Sequence, residues 1–171
     1  MKDKNNKQQR WIEKFIEHIK YEKILSPHTC KNYSRDLNIF LVYCLNNKLQ
    51  SWHIIDAEHI RAFSASQYRK GLNPKSIQRN LSSIRSFFRY LIRENEIKNN
   101  PAQSIRSPKI GKRLPENLDA DSMSKLLDIK DTGFIADRDK AILELLYSSG
   151  LRLAKLINLN ITDIDLADAT V

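Results

Sequence analysis

Asn73-Pro74-Lys75-Ser76-Ile77-Gln78-Arg79-Asn80-Leu81-Ser82-Ser83-Ile84-Arg85-Ser86-Phe87-Phe88-Arg89-Tyr90-Leu91 is the stretch on which the fold turns. Asparagine before proline is a helix start: its side chain can accept a bond from an orphan backbone N–H, and proline in the first turn has no N–H to leave unpaired. Beyond it Ile77, Leu81, Ile84, Phe88 and Leu91 recur at helical spacing, so they share one buried face. The same grammar stands at Ser26-Pro27-His28-Thr29, followed by an apolar face of Tyr33, Leu37, Phe40, Leu41 and Cys44. Two long helices with matching starts are therefore expected.

Outward from these, Trp11, Phe15, Ile16 and Ile19 mark an earlier helix, and the nine polar residues before it are expected to be loose. Asp56 can cap a helix carrying Ile60 and Phe63, with Gly71 placed to end it. Four such helices with short joints predict a compact bundle. Asn99-Asn100-Pro101 breaks the pattern, and Ser107 to Pro115 has the Pro, Gly and charge content of an exposed linker. The expected organisation is a first domain over residues 1–106, a linker over 107–116 and a second segment over 117–171. In that segment Asp119 or Asp121 can cap a helix with Met123, Leu126 and Leu127. Another runs through Ile142, Leu145 and Leu146 to Gly150, and Ile161 to Leu166 alternates like the start of a strand.

Charge is distributed unevenly. Residues 1–114 hold 23 Lys and Arg against 9 Asp and Glu, whereas residues 115–171 hold 6 against 11. Between Glu58 and Glu94 there is no acidic residue, yet Arg61, Arg69, Lys70, Lys75, Arg79, Arg85, Arg89 and Arg93 fall there. A surface kept only for solubility mixes its signs. Arg85, Arg89 and Arg93 stand four apart, as do Lys75 and Arg79, so like charges stack along a helix face at a cost that a phosphate backbone would remove. Gln78, Ser82 and Ser86 on the same side can bond phosphate or base edges. Thr29, Lys31, Asn32 and Arg35 add a second set near a helix N-terminus, which favours phosphate. The pattern points to a polyanion: nucleic acid or an acidic protein ahead of a membrane surface.

Other classes fall away. No apolar run reaches the roughly 20 residues of a spanning helix, and Met1 to Arg10 contains no apolar stretch of a secretion signal, so a cytoplasmic protein with no membrane partner is expected. Cys30 and Cys44 sit among apolar neighbours in helical patterns, as core thiols do. His18, His28, His53 and His59 show no zinc-ligand spacing, so neither a metal nor a cofactor is expected.

Leu25-Ser-Pro-His-Thr29, Asn32-Tyr33, Asp36-Leu37, the Pro74 to Leu91 helix, Asn100 to Lys109 and Leu114-Pro115, taken in this order and spacing, resemble the Xer-type tyrosine recombinases of the phage-integrase family. Arg138-Asp139 and Leu145-Leu-Tyr-Ser-Ser-Gly-Leu-Arg-Leu-Ala-Lys-Leu156 resemble the segment that carries that family's first catalytic arginine. The resemblance implies a mainly α fold. Its parts are an N-terminal four-helix, SAM-like core-binding bundle, then the first helices and first strand of a catalytic domain. It implies double-stranded DNA of a recombination site as partner, a sister recombinase such as XerD as a second, and a place in chromosome dimer resolution.

Arg152 then matches the arginine that grips the scissile phosphate, a role suited to a guanidinium that stays charged and presents a planar fork to two oxygens. The family's reaction runs through a 3′-phosphotyrosyl link. Its lysine, histidines, second arginine and nucleophilic tyrosine all lie farther along than Arg152. None of the six tyrosines here (Tyr21, Tyr33, Tyr43, Tyr68, Tyr90, Tyr147) follows Arg152, so the expectation is a chain that binds DNA but does not cut it alone. The alternatives are an inhibitory partner of an intact recombinase or half of a split enzyme. Lys155 stands where the family usually has a carboxylate, which removes an orienting group.

Overall fold

The computed structural model describes residues 2–109, 117–165 and 168, and the chain divides into two compact units, residues 1–112 and 113–171. It is mainly α. In the first unit α1 (Lys2–Glu17) runs into one π turn, His18–Glu22, and is followed by α2 (Pro27–Asn46), α3 (Ala57–Arg69) and α4 (Pro74–Arg93).

The local starts follow the sequence. Ser26 Oγ accepts from Thr29 N at 3.2 Å before α2, Asp56 Oδ1 from His59 N at 2.9 Å before α3, and Asn73 Oδ1 from Lys75 N at 2.9 Å before α4. Gly71 takes φ +80° just past α3, a left-handed turn that a side chain would resist. Lys2 to Gln9, expected to be loose, are helical: α1 begins at Lys2, and Gln8 is buried, donating to Leu49 O at 3.3 Å. A polar side chain there finds a carbonyl across the bundle, and the helix extends to deliver it.

The four helices close on one core. Ile12, Phe15 and Ile19 of α1 meet Leu37, Phe40 and Cys44 of α2, Ile60 and Phe63 of α3, and Ile77, Leu81, Ile84, Phe87, Phe88 and Leu91 of α4. Trp52, on the short 3-10 turn Trp52–Ile54, packs its indole against Phe40 at 6.1 Å and Phe87 at 5.0 Å between centroids. Cys30 and Cys44 are free and buried, and burial pushes the Cys44 thiol up to about 12, so it stays protonated.

The second unit holds α5 (Ala120–Leu127), capped by Asp119 rather than Asp121, α6 (Phe134–Ser149), which ends at Gly150, and the short α7 (Leu153–Ile157). None of its described residues is fully buried, and Phe134, Leu153, Ile157 and Ile161 are exposed. Where a strand is expected, the described residues Ile161–Asp163 form a 3-10 turn and Asp165 a bridge, while Leu166 lies outside the described residues. Asn160 N donates to Asp163 Oδ2 at 2.9 Å and Asp163 N to Asn160 O at 3.0 Å, which holds the chain in a turn. Among the described residues no helix is long and apolar enough to cross a membrane.

Candidate nucleic-acid interface

A buried ion pair brings the two proline-started helices together. Asp36 of α2 is 1% exposed and accepts from Arg79 of α4 through both oxygens, Nε at 2.8 Å and Nη2 at 3.1 Å. The Asn80 amide, with its NH2 group turned toward the carboxylate, donates to the same two oxygens at 3.0 and 3.2 Å. The bond to Asp36 holds the Arg79 guanidinium above its usual pKa. Arg79 thus serves as a clasp between helices, and both donors of one edge are occupied.

Beside this clasp lie the groups expected to meet phosphate. Lys31 and Arg35 of α2 are exposed and Thr29 and Asn32 half-buried, with Arg35 Nη2 donating to Asn32 Oδ1 at 3.2 Å. Along α4 Lys75, Gln78 and Arg89 are exposed, and Ser82 and Ser86 are half-buried. With no carboxylate on α4, these cations and hydroxyls make a face of one sign.

The row Arg85, Arg89, Arg93 does not act as a unit. Arg85 turns to the chain after α4, donating from Nε to Ala102 O at 3.1 Å and from Nη2 to Ile105 O at 2.5 Å. Arg93 is exposed but paired, reaching Glu94 Oε1 at 2.9 Å and Glu22 Oε2 at 3.2 Å. His18 foremost, then Arg93, holds the Glu22 carboxyl below the usual range. Arg89 is left facing water, its Nε only 3.5 Å from the Arg85 carbonyl. Sequence spacing sees only neighbours on the same helix, whereas Ala102, Ile105 and Glu22 lie 17 to 71 residues from the arginines they meet.

Lys23 is a cation that the helical pattern passes over, because it lies in the joint between the π turn and α2. It borders a cavity of about 100 Å³ together with Ser86, Arg89, Arg93, His18 and Tyr90, a depression rich in donors. In the second unit Arg152 is exposed at the N-cap of α7, with Lys155 one turn on and also exposed. Among the described residues no group of three His, Cys, Asp or Glu side chains could hold a metal ion. The arrangement suits an extended anion.

Residues 12–95 match the phage integrase N-terminal SAM-like domain, and residues 116–171 match the phage integrase family. The chain is 43% identical over 162 residues to the tyrosine recombinase XerC of Pseudomonas syringae pv. tomato, covering 94% of this chain and 54% of that protein. It is 41% identical over 160 residues to XerC of Shigella dysenteriae serotype 1, again covering 94% and 54%. The chain spans about half the length of the curated relatives it matches. Among solved structures it resembles the Tn1549 transposon integrase in complex with circular intermediate DNA, with a TM-score of 0.67 at 17% identity, covering 91% of this chain and 51% of that one. At that identity the likeness concerns the fold.

Proposed function

The chain belongs to the phage integrase family, as a Xer-type tyrosine recombinase, and from that premise we propose that its first unit grips duplex DNA at a recombination site. The observation that carries this reading is the carboxylate-free face of α4. It carries Lys75, Gln78, Ser82, Ser86 and Arg89, and α2, tied to it by the Asp36–Arg79 clasp, carries the exposed Lys31 and Arg35. The clasp ties the middle of α2 to α4, so cations on both are presented with little left to order on binding. Lysine and arginine supply the sequence-independent part of affinity by releasing counterions, while Gln78 and the serines reach base edges or phosphates.

In the second unit Arg152 is the group proposed to hold the scissile phosphate, where a planar donor fork stabilises charge that grows at the phosphorus oxygens. Cleavage through a 3′-phosphotyrosyl link, pairing with a sister recombinase such as XerD and a role in chromosome dimer resolution are proposed for the whole recombinase.

A second reading, a split enzyme or an inhibitor of an intact recombinase, is favoured by one observation: the second unit exposes Phe134, Leu153, Ile157 and Ile161, an apolar surface suited to a complementing segment. A complementing half supplied in trans would restore cleavage in the split enzyme. For the inhibitor, Arg152→Ala would leave inhibition intact.

The test of the first reading is duplex binding by Lys75→Gln and Arg89→Gln variants. Each is expected to weaken binding to all sequences alike and to lower the salt slope by about 1, with helix content unchanged by circular dichroism. Undiminished binding by the double variant would overturn it.

A further inference from the structure

We propose that Arg85 is a positioning residue: with Asn100 it anchors residues 100–107 to α4 and so sets the point at which the chain leaves the first unit. This goes beyond the DNA-binding reading and does not depend on it.

The pattern-breaking Asn99-Asn100-Pro101 ends the helical reading, yet the segment that follows it, up to the start of the expected linker at Ser107, is held against α4. Arg85 donates to Ala102 O at 3.1 Å, to Ile105 O at 2.5 Å and to Ser107 Oγ at 3.4 Å. Asn100 returns the contact: its Nδ2 donates to the Arg85 backbone carbonyl at 3.1 Å, and its Oδ1 accepts from Ala102 N at 3.0 Å. Ala102 and Ile105 are buried in the same core as the helices.

The turn itself is closed by Gln103 N to Asn100 O at 3.2 Å and Ile105 N to Ala102 O at 3.3 Å. Arg85 adds a second donor to the Ala102 carbonyl and takes the Ile105 carbonyl as well. A guanidinium suits this task because Nε and one Nη lie side by side on a rigid edge and can serve two carbonyls at once, which the single ammonium of lysine cannot do with the same geometry. Arg85 therefore spends its donors on residues 102–107 and fixes where the chain leaves α4.

The experiment is amide hydrogen exchange on the full chain, wild type against Arg85→Lys and Asn100→Ala, with the salt slope of duplex binding measured in parallel for Arg85→Gln. The anchor predicts slow exchange of residues 102–105 in the wild type. It predicts exchange faster by about tenfold or more in both variants, with α2 and α4 peptides keeping their protection. The slope of Arg85→Gln is expected to stay within about 0.5 of the wild type, where a lost phosphate contact would change it by about 0.9.

Retained protection in Arg85→Lys would overturn the proposal, because charge alone would then suffice. Loss of protection throughout α4 in both variants would overturn it equally, since the contact would be part of the global core. Unmeasurable DNA binding removes the slope comparison and defeats the DNA reading, while the exchange result still decides the anchor.

Discussion

Cutting the clasp between α2 and α4 should cost unequal amounts from its two sides. Arg79→Ala leaves Asp36, 1% exposed, without the two charged bonds it accepts. Breaking a buried pair in this way costs about 3–5 kcal/mol. Asn80 still donates to both carboxylate oxygens, and the exposed Arg35, whose Nε lies 3.9 Å away, can swing closer, so the lower end applies, about 3 kcal/mol.

Asp36→Ala strands instead an arginine whose side chain is 35% exposed and can turn to water, and leaves the buried Asn80 amide with Ser76 O, for a loss of about 2 kcal/mol. In a unit of this size 3 kcal/mol lowers Tm by roughly 12–20 °C. Replacing both, as Asp36→Leu with Arg79→Met, should return stability to within about 1 kcal/mol of the wild type. Urea unfolding followed by tryptophan fluorescence reads this unit alone, because both tryptophans, Trp11 and Trp52, lie in it. A loss below about 1 kcal/mol for Arg79→Ala, or a larger loss for Asp36→Ala, would refute the argument.

Ile24 is a β-branched residue at φ +49° and 83% exposed, so Ile24→Gly gives up almost no packing and relieves a left-handed conformation that costs roughly 1–2 kcal/mol. After glycine's added chain entropy, a gain of about 0.5–1 kcal/mol is expected in the urea midpoint, and a loss would count against strain there. Acid should weaken the first unit through Asp56, whose carboxyl is held below its usual pKa mainly by the bond from His59 N. Since a depressed folded pKa stabilises above the unfolded value and that stability is lost as pH falls through the folded one, Asp56→Asn should keep the cap yet flatten the acid limb of a stability–pH curve. An unchanged limb would reject that assignment. The exposed apolar groups of the second unit should drive self-association in sedimentation runs, and Leu153→Lys with Ile157→Lys should reduce it while changing the urea midpoint of the first unit by no more than about 0.5 kcal/mol.

Helix starts were legible because a cap and a proline act within one turn: Ser26-Pro27 and Asn73-Pro74 open α2 and α4 as their spacing predicts. The inner face of α4 was legible for the same reason, being a periodic property of one element. What spacing does not carry is the choice of partner across the fold. Arg79 and Arg85 look alike on a helical wheel, yet one meets Asp36 and the other the carbonyls of Ala102 and Ile105. Gln8 turned a polar opening into helix for the same reason, through a carbonyl 41 residues away. At residues 161–163 a reciprocal cap between Asn160 and Asp163 outweighed an alternating pattern, since a strand needs a ladder and a turn needs only its neighbours.

The central claim, that this face grips duplex DNA, is tested most directly by fluorescence anisotropy of the chain on a labelled recombination-type site and on a scrambled duplex across a salt series. With Lys31, Arg35, Lys75 and Arg89 each meeting one phosphate, log K is expected to fall against log salt with a slope of about −3.6, and the site duplex to be preferred. A slope near zero, or no binding to either duplex at low salt, would contradict the claim.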